Sequence, residues 1–328
     1  MKIAIVGCGA LGSYYGAKLC RAGQNVHFLL RSDYEAVRRQ GVTIYGPGEQ
    51  FTVQPNCAQT PEAIGESELV IIGLKTTAND QFARLLPPLV GKHSLVLTLQ
   101  NGLGNEELLA ALFPAAQILG GLCFVCLNRE QPGSIRHIDH GLVVLGEFRR
   151  PPLPRTHALA ALFQNAGVKC QVTEDLARAH WEKLVWNIPF NGLGVASAAG
   201  LAVWENSQIE FRNLKTTGPC LTTDKLLGDR RWEKIVGELM LEVIAAAGAL
   251  GFVISTTFAE KQVDRTRSMG EYRPSTLVDF EAGRPLELNS LFVEPLRQAQ
   301  MAGVAVPRLE LLCRVLQQLE PAKLKMIN

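Results

Sequence analysis

Lys2-Ile3-Ala4-Ile5-Val6-Gly7-Cys8-Gly9-Ala10-Leu11-Gly12 opens the chain one residue after Met1. A short apolar run ends in three glycines spaced G-x-G-x-x-G. A helical spacing of apolar residues then runs over 11–22 and stops at Gly23, a natural helix C-terminus. A second apolar run at 25–30 follows, so residues 2–30 predict one β-α-β unit with a right-handed crossover. The glycine pattern alone is weak. Placed where a strand gives way to a helix, it is the arrangement a dinucleotide pyrophosphate needs. The glycines permit a tight turn and close backbone approach, and the helix N-terminus supplies partial positive charge.

Moving outward, the runs 69–74 and 94–99 are rich in Val, Ile and Leu without polar alternation. This is the composition of parallel strands buried on both faces. After a helix near 105–112, the segments 117–126, 134–137 and 142–145 read as further, partly antiparallel strands separated by turns. Arg149-Arg150-Pro151-Pro152-Leu153-Pro154-Arg155 is the most linker-like stretch, yet a helix at 156–166 and a strand at 168–172 follow it. Beyond Thr173 strand patterns give way to helical ones at 174–188, 231–250, 276–281 and 287–301. The expected fold is α/β: a Rossmann-type doubly wound sheet over residues 1–172, followed by an all-helical domain over 173–328.

A chain of 328 residues suits two cores better than one. Hydrophobic residues at 47% and charged residues at 20% allow ordinary burial in both. The 33 basic and 31 acidic side chains are interspersed and nearly balanced, which gives no reason to expect nucleic acid or an anionic membrane as partner. No apolar run approaches a membrane span, and the N-terminal apolar stretch is too short for a signal peptide, so a soluble cytoplasmic protein is expected. The eight cysteines mostly sit in apolar segments and read as reduced, buried thiols. Cys123-x-x-Cys126 lacks a second pair to complete a zinc site and reads as part of a buried strand. No metal is expected, and His137-x-Asp139-His140 reads as a solvated turn.

The residue that separates NAD from NADP falls about twenty positions after the glycines, at the end of the second strand. Arg31 stands there, and its planar fork suits a 2′-phosphate, so NADP is the expected cofactor. Asp33 is the competing feature, with a helix N-cap as its simpler role. Lys75 and Asn101 follow the third and fourth strands and so share the C-terminal edge of a parallel sheet. Lys75 reads equally as a solvated lysine, and Asn101-Gly102 equally as a turn.

Lys183, Asn187 and Asn191 recur at four-residue intervals and share one helix face. Such a stripe is also what a solvated face looks like, and Pro189 is expected to interrupt the helix before Asn191. His180, one turn earlier, reads either as an orienting partner of Lys183 or as a surface histidine. Taken in order, Gly7-Cys8-Gly9-Ala10-Leu11-Gly12, Arg31, Gly73-Leu74-Lys75, Gln100-Asn101-Gly102-Leu103-Gly104, Lys183-x-x-x-Asn187-x-x-x-Asn191, Ser275-Thr276-Leu277-Val278-Asp279 and Gly283-Arg284-Pro285-Leu286-Glu287 resemble the ketopantoate reductase (2-dehydropantoate 2-reductase) family over nearly the whole chain.

The resemblance implies NADPH-dependent reduction of a small 2-oxo acid, ketopantoate first among candidates. It makes Lys183 the proton donor, Glu287 the carboxylate near the lysine and nicotinamide, and Asn187, Asn191 and Ser275 substrate contacts. Arg31, Lys75, Asn101 and Cys126, the last through backbone, become cofactor contacts. Such chemistry suits these residue types, since hydride addition to a ketone leaves an alkoxide that a protonated lysine can quench. The sequence departs from the family in an extra stretch near 198–220 carrying Trp204, Arg212 and Lys215, and in Leu286 and Phe292-Val293. These departures leave room for a different 2-oxo acid or an opine-like adduct. A non-catalytic NADP(H) sensor is the reading from another class. The Leu-rich segment 307–319 is expected as core or as the contact of a homodimer, and 323–328 is expected to fray.

Overall fold

A computed structural model describes residues 1–205, 214 and 216–320. Arg212, Lys215 and residues 323–328 therefore lie outside the described residues. The chain divides into two compact units, Met1–Ala177 and Arg178–Asn328. The division falls in the first turn of a helix, Leu176–Ala196, rather than at Thr173.

The first unit is built on a ten-stranded mixed sheet. Its strands are β1 Lys2–Val6, β2 Asn25–Leu29, β3 Val42–Gly46, β4 Glu49–Val53, β5 Asn56–Ala58, β6 Ser67–Ile72, β7 Val90–Thr98, β8 Ile118–Gln131, β9 Ser134–Glu147 and β10 Cys170–Val172. The spatial order is β4-β3-β9-β8-β7-β6-β1-β2-β5, with β10 beside β9. β5, β2, β1, β6, β7 and β8 are mutually parallel neighbours. The order reverses at β1, which lies between β2 and β6, and this is the switch point at which such sheets bind ligands.

Alternation along β1 explains why an all-apolar strand is required. Ile3 and Ile5 enter one core with Tyr15, Phe28, Leu97 and Phe163. Ala4 and Val6 enter the other with Ile72, Phe82, Leu86 and Val96. The first core holds Tyr14, Tyr15, Ala17 and Leu19 of the helix Ala10–Arg21, together with residues of β3, β8 and β9.

The segments expected as three separate strands are one antiparallel ribbon, β8 with β9, paired from Leu119↔Glu147 to Gln131↔Ser134. His140 and Gly141, which punctuate the sequence, form an irregularity with φ of 62° and 141° and do not end the strand. His137 lies here, its Nε2 2.8 Å from the His140 carbonyl and its Nδ1 3.5 Å from the Tyr14 hydroxyl. The hairpin β3–β4 went unread, although Val42-Thr43-Ile44 alternates and Pro47-Gly48 marks its turn.

The linker-like 149–155 stretch is pinned in place. Glu147, 1% exposed, accepts from Arg155 Nε at 2.9 Å, Arg150 Nε at 3.1 Å and Thr156 Oγ1 at 2.5 Å. Burial alone would raise its pKa. The hydrogen bonds from Arg155 and Thr156 and the adjacent arginine charges outweigh that and hold it below the ordinary glutamate value.

The second unit is helical throughout its described residues. Arg230–Ala249 buries Trp232, Ile235, Val236, Leu239, Met240 and Val243 along one face, and Asp229 caps it through Arg231 N at 2.8 Å. Glu242 on this helix accepts from Arg308 N and Leu309 N, each at 2.9 Å, and so caps the helix Pro307–Leu319 from outside. Leu309, Leu312, Val315 and Leu316 are fully buried, so the Leu-rich face serves this chain's own core. Thr257–Arg267, a polar helix with few apolar positions, was not anticipated.

All eight cysteines are free thiols. Burial pushes Cys8 well above its ordinary value and Cys170 and Cys313 up to about 12, as suits small hydrophobes. No helix among the described residues is long and apolar enough to cross a membrane.

Candidate functional site

The turn after β1 is fixed by contact between backbones. Gly7 has φ +98°, and a Cβ added to it would lie 2.6 Å from the Gly73 carbonyl carbon. A Cβ on Gly73 would meet Gly12 N at 3.1 Å, and Gly73 N donates to Val6 O at 2.8 Å. The glycine loop and the Gly73-Leu74-Lys75 turn are thus packed together with no room for side chains. Gly9 differs: a Cβ there would meet nothing within 4 Å. Gly9 is the N-cap of Ala10–Arg21, which carries no side-chain cap and no acidic residue in its first turn. Open space above Gly9, uncapped N–H groups and the helix dipole fit a dinucleotide pyrophosphate. Cys8, Ala10 and Leu11 lie in the same turn.

A second polar network ties the turns after β6 and β7. Gln100 Nε2 donates to Leu74 O at 3.0 Å and to Asn79 Oδ1 at 2.8 Å. Asn79 Nδ2 donates to Asn105 Oδ1 at 2.9 Å, and Asn105 Nδ2 to Asn101 O at 3.1 Å. Lys75, exposed, and Asn101, half-buried, are therefore held on two turns of one braced edge. Gln100 and Asn105, buried to 4% and 0% exposure, were not singled out as site residues, although such polar burial between apolar strands and helices is a visible signal.

β2 delivers Arg31 and Ser32, both exposed, and Asp33, 6% exposed. Asp33 precedes the helix Tyr34–Gln40 but makes no side-chain cap, which corrects the N-cap expectation. Its carboxylate accepts from Ser32 Oγ at 3.0 Å and from Arg129 Nη1 at 2.7 Å. Cys126 sits on β8 opposite Asp139, 7% exposed, beside an irregularity in the ribbon. An open cleft of about 560 Å³ lined by Tyr45, Glu49, Arg136 and His137 lies at the β3–β4 turn and includes none of these residues.

In the second unit, Leu176–Ala196 continues through Pro189, contrary to the expected break. The residues around the proline, Val185, Ile188, Phe190 and Leu193, are fully buried, and their packing outweighs the lost backbone bond. Lys183, Asn187 and Asn191 consequently stay on one continuous face. Lys183 is half-buried, and Asn187 and Asn191 are 6% and 4% exposed, so this is not a solvated stripe. His180 is also buried, at 6%, which corrects its reading as a surface residue.

The helix Ser275–Glu281 docks on this face. Asn191 Oδ1 accepts from Thr276 N at 3.0 Å and Ser275 Oγ at 3.3 Å, capping that helix. The approach is fixed by Tyr272, whose ring lies 6.1 Å from that of Trp186 and whose carbonyl accepts from Thr223 N at 3.1 Å. With Asn191 Oδ1 committed, its amide N–H₂ has no partner among the described residues. Asn187 has none at all there. Amide groups not committed within the protein are open to hydrogen bonding by a polar ligand. Glu287, 6% exposed, enters the π-helical turn Asn289–Val293 that leads into Glu294–Met301.

Residues 3–150 match the model of ketopantoate reductase PanE/ApbA, and residues 211–320 match the C-terminal model of the same family. The chain belongs to the ketopantoate reductase family. It is 39% identical over 325 residues to the 2-dehydropantoate 2-reductase of Nostoc sp., covering 97% of this chain and 95% of that protein. The crystal structure of 2-dehydropantoate 2-reductase from Geobacter metallireducens superposes with a TM-score of 0.87 at 44% identity, covering 97% of this chain and 99% of that one. That of the enzyme from Methylococcus capsulatus gives 0.85 at 30% identity, covering 100% and 99%. Like the rest of the ketopantoate reductase family, the chain is an oxidoreductase.

The departures from the family pattern resolve into core packing where they are described. Trp204 is 4% exposed, stacks edge-on with Trp232 at 6.1 Å, and its carbonyl accepts from Arg308 Nη1 at 2.8 Å. Phe292 is fully buried against Gly192, where a Cβ would lie 2.9 Å from its ring. Leu286 is 2% exposed. Leu286 and Phe292 offer no polar group to a substrate, and the Trp204 indole N–H is buried without a hydrogen-bond partner among the described residues.

Proposed function

We propose that this chain is a 2-dehydropantoate 2-reductase that converts ketopantoate to pantoate with NADPH. Its carrying observation is the buried amide pair: Asn191, oriented by Ser275 and Thr276, beside the unpartnered Asn187, on the helix face that bears Lys183. The resemblance to reductases over the full chain supports the same reading.

When bound, NADPH supplies the hydride that adds to the ketone carbon. Lys183 places its ammonium at the ketone oxygen and gives up a proton as the C–O bond becomes an alcohol. Before that transfer, its positive charge stabilises the growing oxyanion. Glu287 orients the ammonium and favours its protonated form, as a neighbouring carboxylate does in a poorly solvated site. Asn187, Asn191 and Ser275 hold the substrate's carboxylate and hydroxyl with neutral hydrogen bonds, which fix its orientation without adding charge. The Gly7-Cys8-Gly9-Ala10-Leu11-Gly12 turn receives the pyrophosphate, and Arg31 the 2′-phosphate. Lys75, Asn101 and the backbone at Cys126 complete the cofactor contacts.

Purified protein should consume NADPH rapidly with ketopantoate, and faster than with other 2-oxo acids in a panel. NADPH binding without turnover of any acid would point instead to a sensor. Turnover confined to a different acid would keep the chemistry and replace the substrate.

A further inference from the structure

The Asp33–Arg129 ion pair is the feature of the cofactor edge that the proposed chemistry leaves unexplained. An acid just past the end of β2 is what an NAD-binding site uses to hold ribose hydroxyls, and it repels a 2′-phosphate. Asp33 occupies that neighbourhood, two residues beyond Arg31. Its side chain is 8% exposed, and it does not serve the helix it precedes. Its charge is near enough to the glycine loop to contribute, after burial and Cys57, to the raised Cys8 thiol. The partner that holds it comes from β8, 96 residues away in sequence, and its guanidinium side chain is 41% exposed. Arg31, by contrast, has no ion-pair or side-chain hydrogen-bond partner among the described residues and is exposed.

We propose that Arg129 is a specificity-determining residue for NADPH that acts through Asp33, cancelling the carboxylate that would otherwise repel the 2′-phosphate. This rests on the NADPH reading above. With Arg129 present, Arg31, Asp33 and Arg129 together carry one net positive charge at the ribose end. Without it they carry none, and Asp33 is free to turn toward ribose hydroxyls. Arg129 is thus a positioning residue: it sets the charge and direction of Asp33 and leaves phosphate contact to Arg31.

The test uses the full chain and titrates NADPH and NADH separately into wild type, Arg129→Leu, Arg129→Lys, Asp33→Asn and the Asp33→Asn/Arg129→Leu double variant. Thermal unfolding is followed in parallel. Arg129→Leu should weaken NADPH at least tenfold while leaving NADH unchanged or tighter, and Arg129→Lys should retain most of the preference. The double variant should recover most of the NADPH affinity, because the charge that needed cancelling is gone. Asp33→Asn alone should raise the preference for NADPH, which keeps the idea testable if Arg129→Leu does not fold.

An unchanged NADPH-to-NADH ratio in Arg129→Leu, or in Asp33→Asn, overturns the proposal. So does a double variant as impaired as Arg129→Leu, since Arg129 would then be touching the phosphate itself. Wild-type protein that binds NADH as tightly as NADPH overturns the NADPH reading and this proposal together. Wild-type preference that survives Arg129→Leu overturns this proposal alone.

Discussion

Gly7 and Gly9 belong to one motif but should fail in opposite ways when each becomes alanine. At Gly7 the backbone has φ +98°, and the new methyl would sit 2.6 Å from the Gly73 carbonyl carbon, backbone that cannot swing aside. Positive φ costs an L-residue about 1–2 kcal/mol, and overpacking costs about 1–3 kcal/mol. Gly7→Ala should therefore lose about 3 kcal/mol, a fall in Tm of about 6–12 °C for a unit of this size. At Gly9, φ is −74° and nothing stands within 4 Å of a Cβ, so Gly9→Ala should change stability by no more than about 0.5 kcal/mol. Its methyl fills the space assigned to the pyrophosphate, and NADPH affinity should drop by about tenfold or more, which is about 1.4 kcal/mol. Thermal unfolding together with NADPH titration separates the two effects. Gly9→Ala that unfolds as early as Gly7→Ala, or that binds NADPH like wild type, would refute the placement of the pyrophosphate over Gly9.

Two further contrasts follow from the second unit and the buried carboxylate. Asn191→Ala removes the acceptor for Thr276 N and should cost about 1 kcal/mol of stability, as the loss of a helix cap does, besides raising KM for the 2-oxo acid. Asn187→Ala should raise KM about as much while leaving Tm unchanged or slightly higher, because its amide has no partner to lose among the described residues; a large fall in Tm would contradict that. Glu147→Gln should cost about 3 kcal/mol at neutral pH, the low end for a buried pair because Arg150 and Arg155 remain 32% and 31% exposed. The Glu147 pKa is depressed in the folded state, so its contribution is complete above the ordinary glutamate value of about 4.3 and fades as pH falls through the depressed value. Denaturant titrations across that range should show the wild type and Glu147→Gln converging as pH drops, and a constant gap would count against the ion pair as its source.

The parallel half of the sheet was legible because its central runs, Ile3–Val6 of β1 and Leu69–Ile72 of β6, are buried on both faces and are apolar throughout. Ile3 and Ile5 against Ala4 and Val6 show this directly, since successive residues enter different cores. The β8–β9 ribbon was legible only in pieces. His140-Gly141 looks like a turn in sequence, but the strand absorbs it as an irregularity held by pairing on both sides. Pro189 misled for a similar reason: a local rule gave way to packing by neighbours that the sequence does not place.

Spacing alone put Lys183, Asn187 and Asn191 on one helix face, since four-residue intervals are a one-dimensional signal. What spacing left open was whether that face met solvent, and the burial of both amides answers it. Ser275 lies 84 residues from Asn191 and entered only through resemblance, and the hydrogen bond between them places the two together. The Asp33–Arg129 pair had no sequence signal at all. It exists because the ribbon carrying Arg129 reaches the end of β2, a consequence of tertiary structure alone.

Lys183→Ala, measured for both NADPH affinity and turnover of ketopantoate, tests the catalytic assignment most directly. NADPH should bind within about twofold of wild type, because the lysine is assigned to the substrate's oxygen and not to the cofactor edge. Turnover should fall by about 10²–10⁴, the usual worth of a positioned general acid. Turnover near the wild-type rate would contradict the assignment of Lys183 as the proton donor, whatever the affinity for NADPH.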